Sequence, residues 1–403
     1  MNALVKSEIR NSKSEENPKA EAPTPGPVLE FLAHRLGPVG RTRSGPELRI
    51  SGFGFRSDFG LRISDLLPAL VLVLVLVFVA PAARAADTTR IKLATLAPTG
   101  SSFYKSLQNL REAWKKASNG SVDLIIYGDG KLGGETDTVG LMGVNSVQAA
   151  ILTAVGLGEI EAGVEGLQSI PMGFRDLAAV DYVGQKLQPM LEEKLLKKGF
   201  VVLFWTDAGW VRFFTKKPVT TPDDLRKLKL FAWAGNPNTL EIYKSAGFNP
   251  VPLETADIVP GLQTGLIEAV PLPPGFALAT QIDTRAPYML EVNWGALVGA
   301  LVIRKQTWDK IPEALRTELR LAAVTAGAEI KAASRKEGVA AVKAMEKRGL
   351  KVTQVAPEVV AVWHQAAEKV WGQIRGKIVP ADIYDQALTL IQEYEAAHPA
   401  PGK

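Results

Sequence analysis

From Arg90 onward the apolar positions change period in a regular order. Arg90–Leu96, RIKLATL, alternates apolar and polar residues and predicts a strand. Ala97-Pro98-Thr99-Gly100 turns the chain, and Ser101 or Ser102 offers an N-cap for a helix. Phe103, Leu107, Leu110 and Trp114 share one face of that helix, and Asn119-Gly120 stops it. A strand at 122–127 follows, then a helix through Leu141 after the Gly133-Gly134 break, then a strand at 148–154. This β-α-β-α-β order is the opening of a doubly wound sheet.

A second α/β unit comes next. Residues 178–198 predict a helix with Val180, Val183, Leu187, Met190 and Leu195 inward. Strands are predicted at 201–205, 211–214, 228–233, 251–253 and 269–272, with helices at 237–245 and 255–264, the latter ending at Gly265. A strand at 296–303 returns to the first unit. From Pro312 the chain reads as helical: an Ala/Glu/Lys-rich helix to Lys347, then 357–374 and 380–397. Strands passing back and forth between two sheets predict an α/β fold, a two-lobed clamshell with discontinuous lobes and a helical C-terminal part. Lobe I is expected at 86–211 plus 296–346, and lobe II at 212–295 plus 347–403. A ligand would sit between the lobes, at strand carboxyl ends and helix N-termini, and hinge closure would trap it.

The N-terminal part has a different texture. Leu66–Ala80, LLPALVLVLVLVFVA, is an apolar run followed by Pro81 and Ala83-Arg84-Ala85, with Arg56 and Arg62 upstream. At 15 residues it falls short of the roughly 20 needed to span a bilayer. Residues 61–85 therefore read as a signal peptide cleaved after Ala85. Residues 1–60 read as a disordered or mis-assigned extension: Ser12–Pro27 is rich in Lys, Glu and Pro, and Leu48-Arg49-Ile50-Ser51 recurs as Leu61-Arg62-Ile63-Ser64. Translation starting near Leu61 would account for it.

Composition narrows the chemistry. The chain has 403 residues, 46% of them hydrophobic, and no cysteine, so disulfides, thiolate metal sites and a lipidated cysteine are excluded. The segment through Ala85 carries 11 Lys and Arg against 8 Asp and Glu, so the rest keeps +2 of the total +5. That near-neutral remainder offers no basic footprint for nucleic acid. The histidines are His34, His364 and His398, too scattered for a metal cluster, and no phosphate-binding glycine motif follows a strand. Glu135, Asp137, Glu159 and Glu161 fall at loops or helix starts, where carboxylates ordinarily serve helix N-termini. No cofactor, metal or catalytic residue is expected, and nothing positive argues for an enzyme.

The stretch from Thr220 to Pro274 carries the most specific pattern. TTPDDLRKLKLFAWAG and GFNPVPLETADIVPGLQTGLIEAVPLPP resemble the substrate-binding proteins of TRAP transporters, the DctP family. The resemblance extends from Arg90 to Ala397. It includes IKLATLAPTGSSFYKSL, Leu-Gly-Gly-Glu at 132–135, Gly209-Trp210-Val211-Arg212 before Lys216-Lys217-Pro218, and Ile311-Pro312 before Leu315. It implies a periplasmic-binding-protein clamshell acting as a periplasmic receptor. Such a receptor captures a small organic acid or a largely apolar small molecule and delivers it to small and large TRAP membrane subunits, driven by an ion gradient.

In that family an arginine grips the substrate carboxylate at the position of Phe231, and an asparagine contact falls at Leu272. A second arginine of some members falls near Val211, with Arg212 adjacent. A polar first-lobe contact falls near Thr153. The candidate ligand-binding residues are thus Phe231, Leu272, Trp210, Trp233, Arg212, Thr153, Ala97 and Phe276. Apolar replacements at Phe231 and Leu272 imply a ligand with a large apolar part. The alternatives are an ordinary dicarboxylate held by Arg212 and backbone donors, or an uptake-independent periplasmic sensor or scaffold.

Overall fold

The alternation in RIKLATL is realised as β1 (Thr89–Thr95), whose Ile91, Leu93 and Ala94 are buried. A computed structural model of the chain describes residues 88–399; the extension 1–60 and the signal segment 61–85 lie outside them. The helix α1 (Ser102–Ala117) begins at Ser101, whose hydroxyl accepts the Tyr104 amide at 3.2 Å. Its buried face is Leu107, Leu110 and Trp114. After it come β2 (Val122–Tyr127), α2 (Glu135–Gly143) and β3 (Ala149–Thr153). β1 pairs in parallel with both β2 and β3, as the opening pattern predicts.

The helix α3 (Leu177–Lys197) buries Val180, Val183, Leu187 and Leu195 as expected, while Met190 is only partly buried. It leads into β4 (Phe200–Thr215). The pattern predicts two short strands here, at 201–205 and 211–214. The chain instead carries the residues between them through a bulge: the register with the antiparallel partner strand Tyr288–Arg304 shifts between Asp207 and Trp210, and Gly209 takes a left-handed φ of 77°. Pairing resumes beyond it, so one strand serves both halves of the sheet.

The second half is built from β5 (Lys229–Trp233), α4 (Pro237–Ser245), β6 (Asn249–Leu253), α5 (Ile258–Thr264), β7 (Ala269–Leu272) and α6 (Pro274–Ala279). Gly265 caps α5 in the left-handed region at φ 75°, as the sequence indicates. β8 (Tyr288–Arg304) is about twice the predicted length and pairs antiparallel with β4 along its whole course. The sheet order is β2-β1-β3-β8-β4-β7-β5-β6, with β9 (Lys351–Thr353) added beside β8.

The helical remainder matches its prediction closely: α7 (Glu313–Glu346), α8 (Pro357–Ile374) and α9 (Ala381–Ala397). α7 spans the molecule as a brace. Trp114 donates its indole N–H to Leu319 O at 2.9 Å, and Gly327 lies where any Cβ would strike the Phe204 ring. No helix of the described residues is long and apolar enough to cross a membrane. α9 lies against α3. Its apolar face packs into the same buried cluster as Val183, Leu187 and Leu191 of α3, and Tyr394 lies 5.7 Å from Tyr182. An amphipathic terminal helix settles on whichever apolar surface is left open, and here α3 supplies it.

Candidate ligand-binding cleft

Parallel strands end where the two halves of the sheet meet, and a cavity of about 140 Å³ lies there. One wall comes from the β1-to-α1 turn (Leu96, Ala97, Pro98, Ser101), the end of β3 (Thr153) and the start of α2 (Glu135). The opposite wall comes from Trp233 at the end of β5, Leu272 at the end of β7, and Phe276 on α6. Thr206, Asp207, Leu297 and Val298 of the shared strands form the back. This is the crevice beyond strand carboxyl ends where open α/β sheets bind ligands.

Of the eight residues proposed from sequence, the structure brings five together on this cavity: Ala97, Thr153, Trp233, Leu272 and Phe276. Phe231 is placed elsewhere. It is 0% exposed, packed with Phe214, Leu262 and Leu272 and set edge-on to Trp233 at 5.3 Å. Strand periodicity explains this: Phe231 and Trp233 share a face of β5, but Trp233 holds the strand end and Phe231 lies one step inward. Trp210 and Arg212 line a separate cavity of about 260 Å³ bordered by Glu291 and Arg335. There the Arg212 guanidinium hydrogen-bonds Asn293 Oδ1, and burial pulls it below its ordinary value. Arg212 pairs with Leu272 across the β4–β7 ladder, yet its head turns away from the central cavity.

Glu135 is the residue that sequence reasoning undervalued. Its sequence position is that of a helix-start carboxylate. It does occupy the first position of α2, but it is also buried on the cavity wall. Its Oε1 accepts the Thr153 amide at 2.6 Å; its Oε2 accepts the Thr153 hydroxyl at 2.6 Å and the Gly156 amide at 3.0 Å. Burial pushes this carboxyl upward, against those hydrogen bonds and with help from Glu254. The signal was the Gly133-Gly134 pair before it: a Cβ on Gly134 would overlap the Glu254 carboxylate, which comes from the other half of the sheet. Asp207 falls between the strands predicted at 201–205 and 211–214, where no pattern marks it.

A second contact crosses the cleft nearby. Asn236, the N-cap of α4, donates to Glu165 Oε1 at 3.2 Å. Burial pushes the Glu165 carboxyl up to about 7; the Ser169 hydroxyl opposes this, and Glu159 and Glu135 reinforce it. Its folded value thus exceeds its ordinary 4.5, so the folded state binds the proton more tightly. Stability is expected to fall as pH rises through the interval between those two values and then to level off. Glu165→Gln should flatten that fall, read as unfolding midpoints in urea at acidic and neutral pH; an unchanged slope would mean that Glu165 is solvated.

Among the described residues no group of three or more His, Asp or Glu could hold a metal ion. The arrangement suits capture of a small molecule in a mainly apolar space between two halves joined by two continuous strands.

Known proteins share this fold. The family model described as bacterial extracellular solute-binding protein, family 7, matches residues 93–377. The C4-dicarboxylate-binding periplasmic protein DctP of Rhodobacter capsulatus is 24% identical over 278 residues, covering 68% of this chain and 83% of that protein. A TRAP periplasmic solute-binding protein of Ralstonia eutropha, solved with bound (S)-2-acetolactate, superposes with a TM-score of 0.71 at 23% identity, over 76% of this chain and 99% of its own. The sugar acid binding protein DctPAm of Advenella mimigardefordensis, in complex with galactonate, gives 0.71 at 18% identity over 76% and 99%. The chain belongs to the DctP family of bacterial extracellular solute-binding proteins, the receptors of TRAP transporters.

Proposed function

We propose that this receptor captures a largely apolar small molecule rather than a short dicarboxylate. The observation that carries this reading is the lining of the central cavity. Aromatic and aliphatic side chains dominate it, and no Lys or Arg of the described residues reaches it. A dicarboxylate enclosed there would give up its hydration without the bidentate guanidinium partner that ordinarily compensates it. Trp233, Phe276, Leu272, Ala97 and Thr153 are the residues assigned to ligand contact, and Phe231 supports Trp233 from beneath.

The receptor is exported by cleavage after Ala85, works in the periplasm, and hands its solute to small and large TRAP membrane subunits; it is not an enzyme. The first lobe takes β1–β3, α3 and α9, and the second takes β5–β7, with β4 and β8 as the hinge strands. Titration calorimetry with succinate is the test. No saturable binding at micromolar concentration is expected. Micromolar binding would mean that Arg212 and backbone donors replace the missing fork.

A further inference from the structure

Charge is distributed one-sidedly around the cleft. Among the described residues no Lys, Arg or His lines the central cavity, and none lines the adjoining cavity of about 120 Å³ on the far side of Trp233. Three carboxylates border the central cavity: Asp207, Glu337 and Glu135. Asp207 is compensated from behind by Arg335 at 2.7 Å and Lys331 at 3.9 Å. Glu337 is exposed and bonded by the Ser102 hydroxyl.

Glu135 differs from both. It is 8% exposed, and its three donors are the Thr153 amide, the Thr153 hydroxyl and the Gly156 amide, all neutral. Its Oε1 accepts a single hydrogen bond, so acceptor capacity remains. Glu254 approaches from the opposite half and adds a second negative charge. Phe103, Trp233 and Phe276 line the same space, and aromatic rings attract cations.

The geometry points to a ligand that brings the missing positive charge: an apolar amine whose ammonium docks on Glu135 while its body lies against Trp233 and Phe276. This rests on the apolar-solute reading above and narrows it. A carboxylate ligand would add a like charge beside Glu135 and Glu254. An ammonium instead converts the buried carboxylate into half of an ion pair. Because burial raises the Glu135 carboxyl, amine binding should tighten as pH rises and that group ionises.

The test compares benzylamine, benzyl alcohol, benzoate and succinate by calorimetry on the purified chain. Benzylamine should bind roughly 10- to 100-fold more tightly than benzyl alcohol, the value of one charge-assisted hydrogen bond. Glu135→Gln should erase that margin, the ratio of the two affinities within the variant being the readout. Should the variant fail to fold, the ligand comparison and its pH dependence on the unaltered chain decide alone. Benzylamine binding no tighter than benzyl alcohol overturns the inference, and the apolar-solute reading survives if succinate still fails to bind. Micromolar succinate binding overturns both.

Discussion

Phe231→Arg is expected to break the second-half core instead of creating a carboxylate site. Phe231 is 0% exposed among Phe214, Leu262, Leu272 and Met289, and its ring supports Trp233 at 5.3 Å. Losing a buried phenylalanine costs about 3–5 kcal/mol. A guanidinium in its place would be a buried charge with no carboxylate among its cluster neighbours, a penalty of the same order. Those two losses match the whole stability of an ordinary domain, about 5–15 kcal/mol. Urea unfolding should therefore show a collapsed or unfolded variant, and calorimetry no succinate binding. A folded variant with the parent midpoint and new affinity for succinate would place residue 231 on the ligand, as family resemblance alone implies.

Arg335→Ala is expected to cost about 3–5 kcal/mol, the usual effect of orphaning a buried ion-pair partner. Arg335 reaches Asp181 at 2.7 Å and Asp207 at 2.7 Å, and the Asp207 side chain is only 2% exposed. Asp207 Oδ1 also accepts the Gly209 amide at 3.0 Å, which fixes the bulge in β4. The ion pair thus ties the brace helix α7 to the point where the shared strand bends, on the cavity wall. Lys331 also reaches Asp181 and lies 3.9 Å from Asp207, so some compensation would persist. Arg335→Lys should fall between parent and alanine variant, because lysine cannot fork between two carboxylates. Unfolding midpoints in urea for the three proteins check this; a loss below about 0.5 kcal/mol for alanine would mean the network is solvated.

Regular periodicity made most of the fold legible. RIKLATL, the 3.6-residue pattern of α1 and the helices at 357–374 and 381–397 needed only local physics, and the structure places them within a residue or so of expectation. The shared strands were harder. Asp207 and Gly209 fall between two predicted strands; the ladder with β8 shifts there, and Asp207 accepts the Gly209 amide to carry the strand through. β8 itself offered an overlooked signal, since Leu290 and Val292 alternate with Glu291 and Asn293. The short β9 exists because Lys351–Thr353 finds an open edge at Tyr288–Leu290, which no local pattern announces.

The site was legible by strand end, not by depth. Trp233, Leu272, Thr153 and Ala97 close their strands or the turns after them, and all four line the cavity. Phe231 shares Trp233's face, so alternation alone could not separate the residue at the cleft from the one beneath it. Arg212 shows the converse. Its backbone position is opposite Leu272, but its side chain finds Asn293 and a different cavity. Glu135 was hidden because a helix-start carboxylate and a buried cavity carboxylate look alike in sequence. Its partners Thr153 and Gly156 lie 18 and 21 residues along the chain, beyond the reach of a local pattern.

The most direct test of the central claim is native mass spectrometry of the receptor purified after secretion of the full chain, with chemical identification of whatever it releases. The released compound is expected to have a large apolar body and no second carboxylate. Release of a short dicarboxylate would contradict the claim and make Arg212 the first residue to re-examine.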